Sequence, residues 1–431
     1  MTSAPVDADE VIDARSASGQ YGPHPQASGK FGIARFFERF AFYTARNGLI
    51  AYLTARAFDG GDTQTYFLYF GVITAALVFS QIPGGLLVDL FYDRRKAFVW
   101  GGAMLATGYF IFAVDHPVAL AVSGLLCFAG MGLYGSSSFT LLGSFYRGRE
   151  KFLDAGMSRF FGFINAGAFV SSLFAVYVSA VLQWNQVFMS AGILMMLGHV
   201  YILVPARVFA ERKVPVSAAV PSGKNMGISA PVIAAGLAGL AGFSFAIYAS
   251  YSLISLLLGT SPTGVNLGHI GRFASSLIAV IVLFAGSEIL TRRPGSLGLR
   301  LAAGLFLGAL LGAGAPALGA LSETSGLIPQ YAAGGAAVFV ILAVAMAEFL
   351  VLPPLISLIL LSDSKFRHTL IGAASAMVHL PLLTAYFPGR QITELISVAG
   401  GAVLALIGAI ALYRYRERAD EMTDMPMADP D

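Results

Sequence analysis

Continuous apolar runs separated by short polar breaks dominate this chain. The first six extend over 33–57, 64–91, 97–115, 117–146, 154–183 and 185–210, and six more over 228–259, 268–291, 297–321, 330–362, 367–388 and 391–414. An α-helix needs about 20 apolar residues to cross a bilayer, and each run approaches or exceeds that. The runs are continuous where a transmembrane β-strand would alternate apolar with polar positions, so the pattern predicts an all-α membrane protein of twelve spans.

Polar stretches set the organisation. The longest between spans, residues 210–226, divides the chain into an N-terminal bundle at 33–209 and a C-terminal bundle at 227–414. Residues 1–32 and 415–431 read as tails, and the first lacks the short apolar core of a secretory signal. A short internal echo links the halves: GLLVDLFYDRR from Gly85 follows the second span, and GSEILTRR from Gly286 follows the eighth. Paired halves are how secondary transporters build alternating access around a site near the membrane midplane.

Composition agrees with the pattern. Of 431 residues 56% are hydrophobic and 12% charged, with a mean hydropathy of +0.73, which no soluble domain of this size sustains. Cys127 is the single cysteine and lies within a run, which removes disulfide frameworks and thiolate metal clusters from consideration. The net charge of +3 is uninformative until it is mapped. Eighteen Lys and Arg fall in alternate loops and the start of the C-terminal tail, against Arg56 and Arg390 in the other set. By the positive-inside rule both termini are cytoplasmic, in a plasma (inner) membrane.

Ionisable residues inside spans are costly and therefore informative. The first span carries Arg35, Glu38, Arg39, Phe42, Tyr43 and Arg46, which at 100° per residue fall within an arc of roughly 140°. Such a stripe cannot face lipid. Arg39, Tyr43 and Arg46 are expected to line a cavity, while Arg35 and Glu38 lie near enough to the inner end to snorkel. In the tenth run Glu348 stands among apolar residues, and Pro353-Pro354 is expected to break the helix just after it. Asp89, followed by Arg94, Arg95 and Lys96, ends the second span after two glycines. It is placed to pair with a neighbouring helix end in one conformation and release it in another. His199 and His379 read as structural residues, Arg272 as an outer-end anchor, and Glu288 as a partner of Arg292. No nucleophile elbow, HExxH pair or phosphate-cradling loop is present, so neither an enzyme, a nucleotide-driven pump nor a nucleic-acid binder is indicated.

Several segments resemble signatures of the proton-dependent oligopeptide transporters, a family with the major facilitator fold. Glu38-Arg39-Phe40-Ala41-Phe42-Tyr43-Thr44-Ala45-Arg46 is similar to the first-helix ExxER signature, and Gly84 to Arg95 to the facilitator loop motif, with Asp93 at a usual glycine. Asp154 to Ser158 and Phe163 to Phe169 resemble the fifth-helix signature, and Glu348 to Pro353 the tenth-helix motif. The resemblance implies a proton-driven carrier without cofactor, expected to be monomeric in the bilayer, that takes peptides or other small molecules. It assigns Arg39, Tyr43 and Arg46 to a substrate carboxylate, Asn165 and Glu348 to substrate binding, Glu38 and Glu348 to proton coupling, and Arg35, Asp89, Arg94 and Arg95 to gating.

The chain departs from that pattern at four further points. Arg35 replaces the first glutamate of ExxER, Gly135 stands where a fourth-helix lysine is usual, Phe161 replaces a tyrosine, and the seventh span reads FSFAIYASYSL where FExQ is usual. With Arg35, Arg39 and Arg46 against Glu38 and Glu348, one positive charge is left over, which favours an anionic substrate if Arg35 reaches the cavity. A proton-driven exporter, or a non-transporting receptor or assembly factor on the same fold, are the alternatives.

Overall fold

The computed structural model describes residues 23–57, 63–91, 93–146, 149–178, 181–203, 230–259, 267–325, 330–362, 364–381 and 390–414. They fold into helices α1 (Gln26–Tyr52), α2 (Thr63–Phe79 and Gln81–Phe91, meeting at Ser80), α3 (Arg94–Phe112), α4 (Pro117–Phe145), α5 (Leu153–Val178) and α6 (Trp184–Leu203). The second set is α7 (Ala230–Leu258), α8 (Leu267–Arg292), α9 (Leu297–Ser325), α10 (Gln330–Leu361), α11 (Arg367–Val378) and α12 (Arg390–Arg414). These twelve elements match the twelve apolar runs in order. The 210–226 segment and most of both tails lie outside the described residues.

Seven helices among the described residues are long and apolar enough to cross a membrane. The others include α1, whose charged stripe breaks its apolar window, yet α1 buries Arg35, Glu38 and Arg39 inside the bundle. Large apolar side chains point outward elsewhere, Leu125 being 72% and Phe339 70% exposed, as expected of a lipid-facing surface. The protein is an integral multi-pass membrane protein.

Within the first set α1 packs on α5 and α6, α3 on α4 and α6, and α2 on α4. Within the second, α7 packs on α9, α10 and α12, and α9 on α10 and α12. The two sets meet mainly along α2 with α11 and α5 with α8, joined by contacts of α5 with α10 and of α4 with α11. The α2–α11 crossing is so close that a Cβ on Gly85 would meet the His368 carbonyl, and one on Gly372 the Gln81 carbonyl. Small residues are what allow helix backbones this near.

Local sequence explains several helix ends. Asp93 caps α3, its carboxylate accepting from the Arg95 backbone N–H at 2.7 Å, and α4 begins at Pro117, where the missing N–H costs nothing. One expectation fails. Pro353-Pro354 does not break α10, which runs on to Leu361. Pro353 still has no N–H for the carbonyl of Phe349, and Arg300 of α9 donates to that oxygen from Nη2 at 3.1 Å instead. An outside donor keeps the helix whole.

Candidate functional site

The polar stripe of α1 divides into two parts. Nearer the basic end of the bundle, Arg35 and Glu38 are 2% and 1% exposed, so neither snorkels. Glu38 Oε2 lies 3.0 Å from Arg35 Nη1 and 3.0 Å from Arg39 Nε, one carboxylate between two guanidinium groups. These are ion pairs at contact distance without hydrogen-bond alignment. The Arg35 guanidinium packs over the rings of Tyr134 and Phe139 on α4, at 5.5 and 5.6 Å. Arg35 therefore points into the first six-helix set, and the condition that it reach a central cavity is not met. Arg39 packs over Phe42 at 5.2 Å.

Further along, Tyr43 and Arg46 are partly buried, with Arg46 over the Phe70 ring at 5.0 Å. Asn165 on α5 is also partly buried, and its amide donates to the Phe161 carbonyl of its own helix at 3.1 Å. Thr44 and Ser171 join α1 to α5 at 3.1 Å.

Across from this stripe, Glu348 on α10 is partly buried and accepts from the Tyr251 hydroxyl of α7 at 3.5 Å, while Ser275 of α8 donates to Tyr251 at 3.3 Å. Tyr43 of α1 lies within electrostatic range of Tyr251. Through Tyr43 the α1 stripe of the first set thus comes near the Tyr251–Glu348 pair of the second. His379, at the end of α11, lies within electrostatic range of Arg39 and Arg46, with Nδ1 3.0 Å from the Ser375 carbonyl oxygen. His199 is buried beside Phe98, and its ring takes the space left by Gly102.

At the basic end, Asp89 pairs with a neighbouring helix end as the sequence suggested. Its Oδ1 accepts from the His368 backbone N–H at 3.1 Å and lies 2.7 Å from His368 Nδ1. Its Oδ2 accepts from the Thr369 backbone N–H at 2.8 Å and hydroxyl at 2.6 Å. His368 Nε2 meets Thr140 Oγ1 of α4 at 2.8 Å. These four bonds of Asp89 run to α11 rather than to the side chains of Arg94 and Arg95, which stand at the start of α3. Exposed Glu288 and Arg292 pair at 2.9 Å.

Sequence reading missed a second set of contacts at the same end, from α5 to α8 and α9. Asp154 pairs with Arg300, and Ser287 donates to the Ala155 carbonyl at 2.8 Å. His24, just before α1, joins Tyr146 through Nδ1 at 2.8 Å and Thr291 through Nε2 at 2.9 Å, bridging both sets. It missed Tyr251 as the partner of Glu348 too, and Gln81, whose side chain occupies the space a side chain on Gly135 would need. The signals were faint: single hydroxyls, one amide, one histidine, and an acid and an arginine at two helix starts, each ordinary alone.

The Major Facilitator Superfamily model matches residues 32–386. The chain is 29% identical over 177 residues to the peptide transporter YePEPT of Yersinia enterocolitica, a stretch covering 40% of this chain and 34% of that one. It is 26% identical over 199 residues to the uncharacterized transporter YclF of Bacillus subtilis, covering 45% and 40%. These alignments span well under half the length of the curated relatives. A solved structure of a POT family transporter in complex with 5-aminolevulinic acid superposes with a TM-score of 0.62 at 16% identity over 92% of this chain and 97% of that one. The peptide transporter POT in complex with sulfate gives 0.60 at 18% over 93% and 96%. At such identity the superpositions establish the shared fold. With the family model matching most of its length, the chain belongs to the Major Facilitator Superfamily, and its likenesses within that superfamily run to the peptide-transporter branch.

Proposed function

We propose that this protein is a secondary active transporter that carries small peptides, or related solutes bearing amino and carboxylate groups, together with protons by alternating access. Segments 33–209 and 227–414 are the moving halves, joined by a cytoplasmic linker at 210–226. The protein works as a monomer in the inner membrane, with tails 1–32 and 415–431 in the cytoplasm and the proton gradient as its energy source. The likeness to a relative named a peptide transporter, and the shared fold with a POT family transporter in complex with 5-aminolevulinic acid, support this reading.

The observation that carries the reading is that the first half buries Arg39 and, in part, Arg46 on α1 and the second half, in part, Glu348 on α10, with Tyr43 of α1 within electrostatic range of Tyr251, the partner of Glu348. Arg39 and Arg46 hold a carboxylate, Asn165 adds a polar contact, and Glu348 receives an amino group. Glu348 also carries the proton, because its hydrogen-bond partner is a neutral phenol. Glu38 is clamped by two guanidinium groups and takes part in coupling only when that cluster rearranges. Asp89 is the gate, with Arg94 and Arg95 anchoring the loop beside it. Arg35 neutralises Glu38 within its own half. The excess of positive charge now rests on Arg39 and Arg46 against Glu348, and anionic or zwitterionic solutes are preferred over cationic ones.

The test is uptake into liposomes carrying the purified protein under an inward proton gradient, with a pooled library of di- and tripeptides and small organic anions. Proton-dependent accumulation is expected, and Glu348→Gln abolishes accumulation while leaving exchange of labelled for unlabelled substrate. Accumulation retained in that variant moves the proton site elsewhere. Silence across the library from folded protein favours an exporter or a non-transporting relative.

A further inference from the structure

We propose that Arg300 is a positioning residue that ties the contact between the halves to Glu348. One guanidinium pairs with Asp154 of α5 and supplies the hydrogen bond that Pro353 withholds from Phe349, the residue next to Glu348. The proposal rests on the reading of Glu348 given above only for its meaning in transport, since the geometry stands apart from it.

Three observations place Arg300 at this junction. Its side chain is 11% and that of Asp154 12% exposed, so the pair is shielded from water, and separating it strands a charge. The guanidinium lies over the Phe349 ring at 4.5 Å while Nη2 donates to the carbonyl of the same residue at 3.1 Å, which holds ring and backbone together. The proline-weakened stretch of α10 is also gripped by neighbouring helices: a Cβ on Gly286 of α8 would meet the Phe349 ring, and one on Gly304 of α9 would meet Leu350 and Val351.

Movement here reaches Glu348 through the backbone of Phe349. The carbonyl held by Arg300 belongs to the peptide that follows Phe349, one residue beyond Glu348 on the same helix, and the Tyr251 hydroxyl lies 3.5 Å from the Glu348 carboxylate, at the edge of hydrogen-bond range. A shift of a few tenths of an ångström at that peptide makes or breaks the contact. When α5 and α9 separate, the guanidinium loses Asp154, the Phe349 carbonyl loses a fixed donor, and the α10 backbone beside Glu348 is released. Opening at the Asp154 end thus changes the surroundings of Glu348 without any direct contact between the two acids.

The experiment is infrared difference spectroscopy on the full-length protein in nanodiscs, with the Glu348 carboxyl band assigned by its loss in Glu348→Gln. Arg300→Gln shifts this band, and so does Asp154→Asn, which leaves the arginine in place. Pro353→Ala restores an N–H to the Phe349 carbonyl, and in that background both shifts disappear. A band unmoved by Arg300→Gln and by Asp154→Asn overturns the proposal. So does an equal shift with and without Pro353, which marks a general charge effect instead. If Arg300→Gln does not give monodisperse protein, Asp154→Asn with and without Pro353→Ala decides alone. Failure of the transport reading is separate, appearing as proton-driven accumulation that survives Glu348→Gln, whatever the band does.

Discussion

Thr369 gives Asp89 both its backbone N–H, at 2.8 Å, and its hydroxyl, at 2.6 Å, so a carboxylate on one half of the bundle caps a helix on the other. Helix α11 has no side-chain cap of its own at Phe366, and its first N–H groups are the orphan donors of any helix start. Asp89 meets them together with the positive end of the helix dipole. A contact that one half completes for the other exists only while that end of the protein is closed.

Asp89→Asn removes the charge and keeps the shape. The closed form should lose about 1–2 kcal/mol, roughly tenfold in the ratio of closed to open. Spin labels at the facing ends of α2 and α11 report this as a larger long-distance population. Identical distance distributions in the two proteins would show that Asp89 is not the latch.

Gly85→Ala should act more strongly than loss of the charge, because its Cβ meets the His368 carbonyl and Thr369 nitrogen, backbone atoms that cannot rotate away. Closure at this end is prevented and exchange falls by at least about tenfold. Gly400→Ala, at a position with nothing within 4 Å of the added carbon, serves as the control and leaves exchange unchanged. Equal behaviour of the two variants would refute the close-packing account.

His24 makes the bridge to Tyr146 and Thr291 sensitive to pH. Burial, then the charge of Arg159, lowers its pKa from the ordinary 6.5, with Glu288 opposing. A lowered histidine pKa means that the bridged state favours the neutral ring. The stabilisation is present in full above the ordinary pKa and is lost as pH falls through the lowered one. Opening at this end should become easier as pH falls from the ordinary histidine value of 6.5 toward the lowered one. His24→Gln, measured with the same spin labels, should flatten that part of the profile, and an unchanged profile assigns it to another group.

Gly135→Lys, which restores the usual lysine, should destabilise the protein because the new side chain runs into Gln81. Overpacking costs roughly 1–3 kcal/mol before the buried charge is counted. Gln81→Ala combined with Gly135→Lys should recover much of the loss in a thermal unfolding assay. A single variant as stable as the parent would show that α2 and α4 have room to spare.

Much of this was legible in order along the chain. Twelve apolar runs became twelve helices in sequence, because backbone hydrogen bonding inside a bilayer has to be satisfied within each span. That Asp89 would pair with a neighbouring helix end was legible because a carboxylate ending a glycine-rich span is costly without a partner. The identity of that partner was not, since His368 and Thr369 lie nearly three hundred residues away and look like any polar pair at a helix start. Pro353-Pro354 misled for the same reason: proline removes a donor locally, and only packing shows that Arg300 supplies another.

By itself, then, the sequence determined what had to be buried and where the spans run, since hydrophobic length and the cost of charge in lipid are properties of short segments. Tertiary structure alone decided which way Arg35 turns, which phenol meets Glu348, and which residues hold the halves together. Those outcomes depend on which helices meet, and the pairing of helices distant in the chain is set by small residues and complementary donors that no single segment reveals.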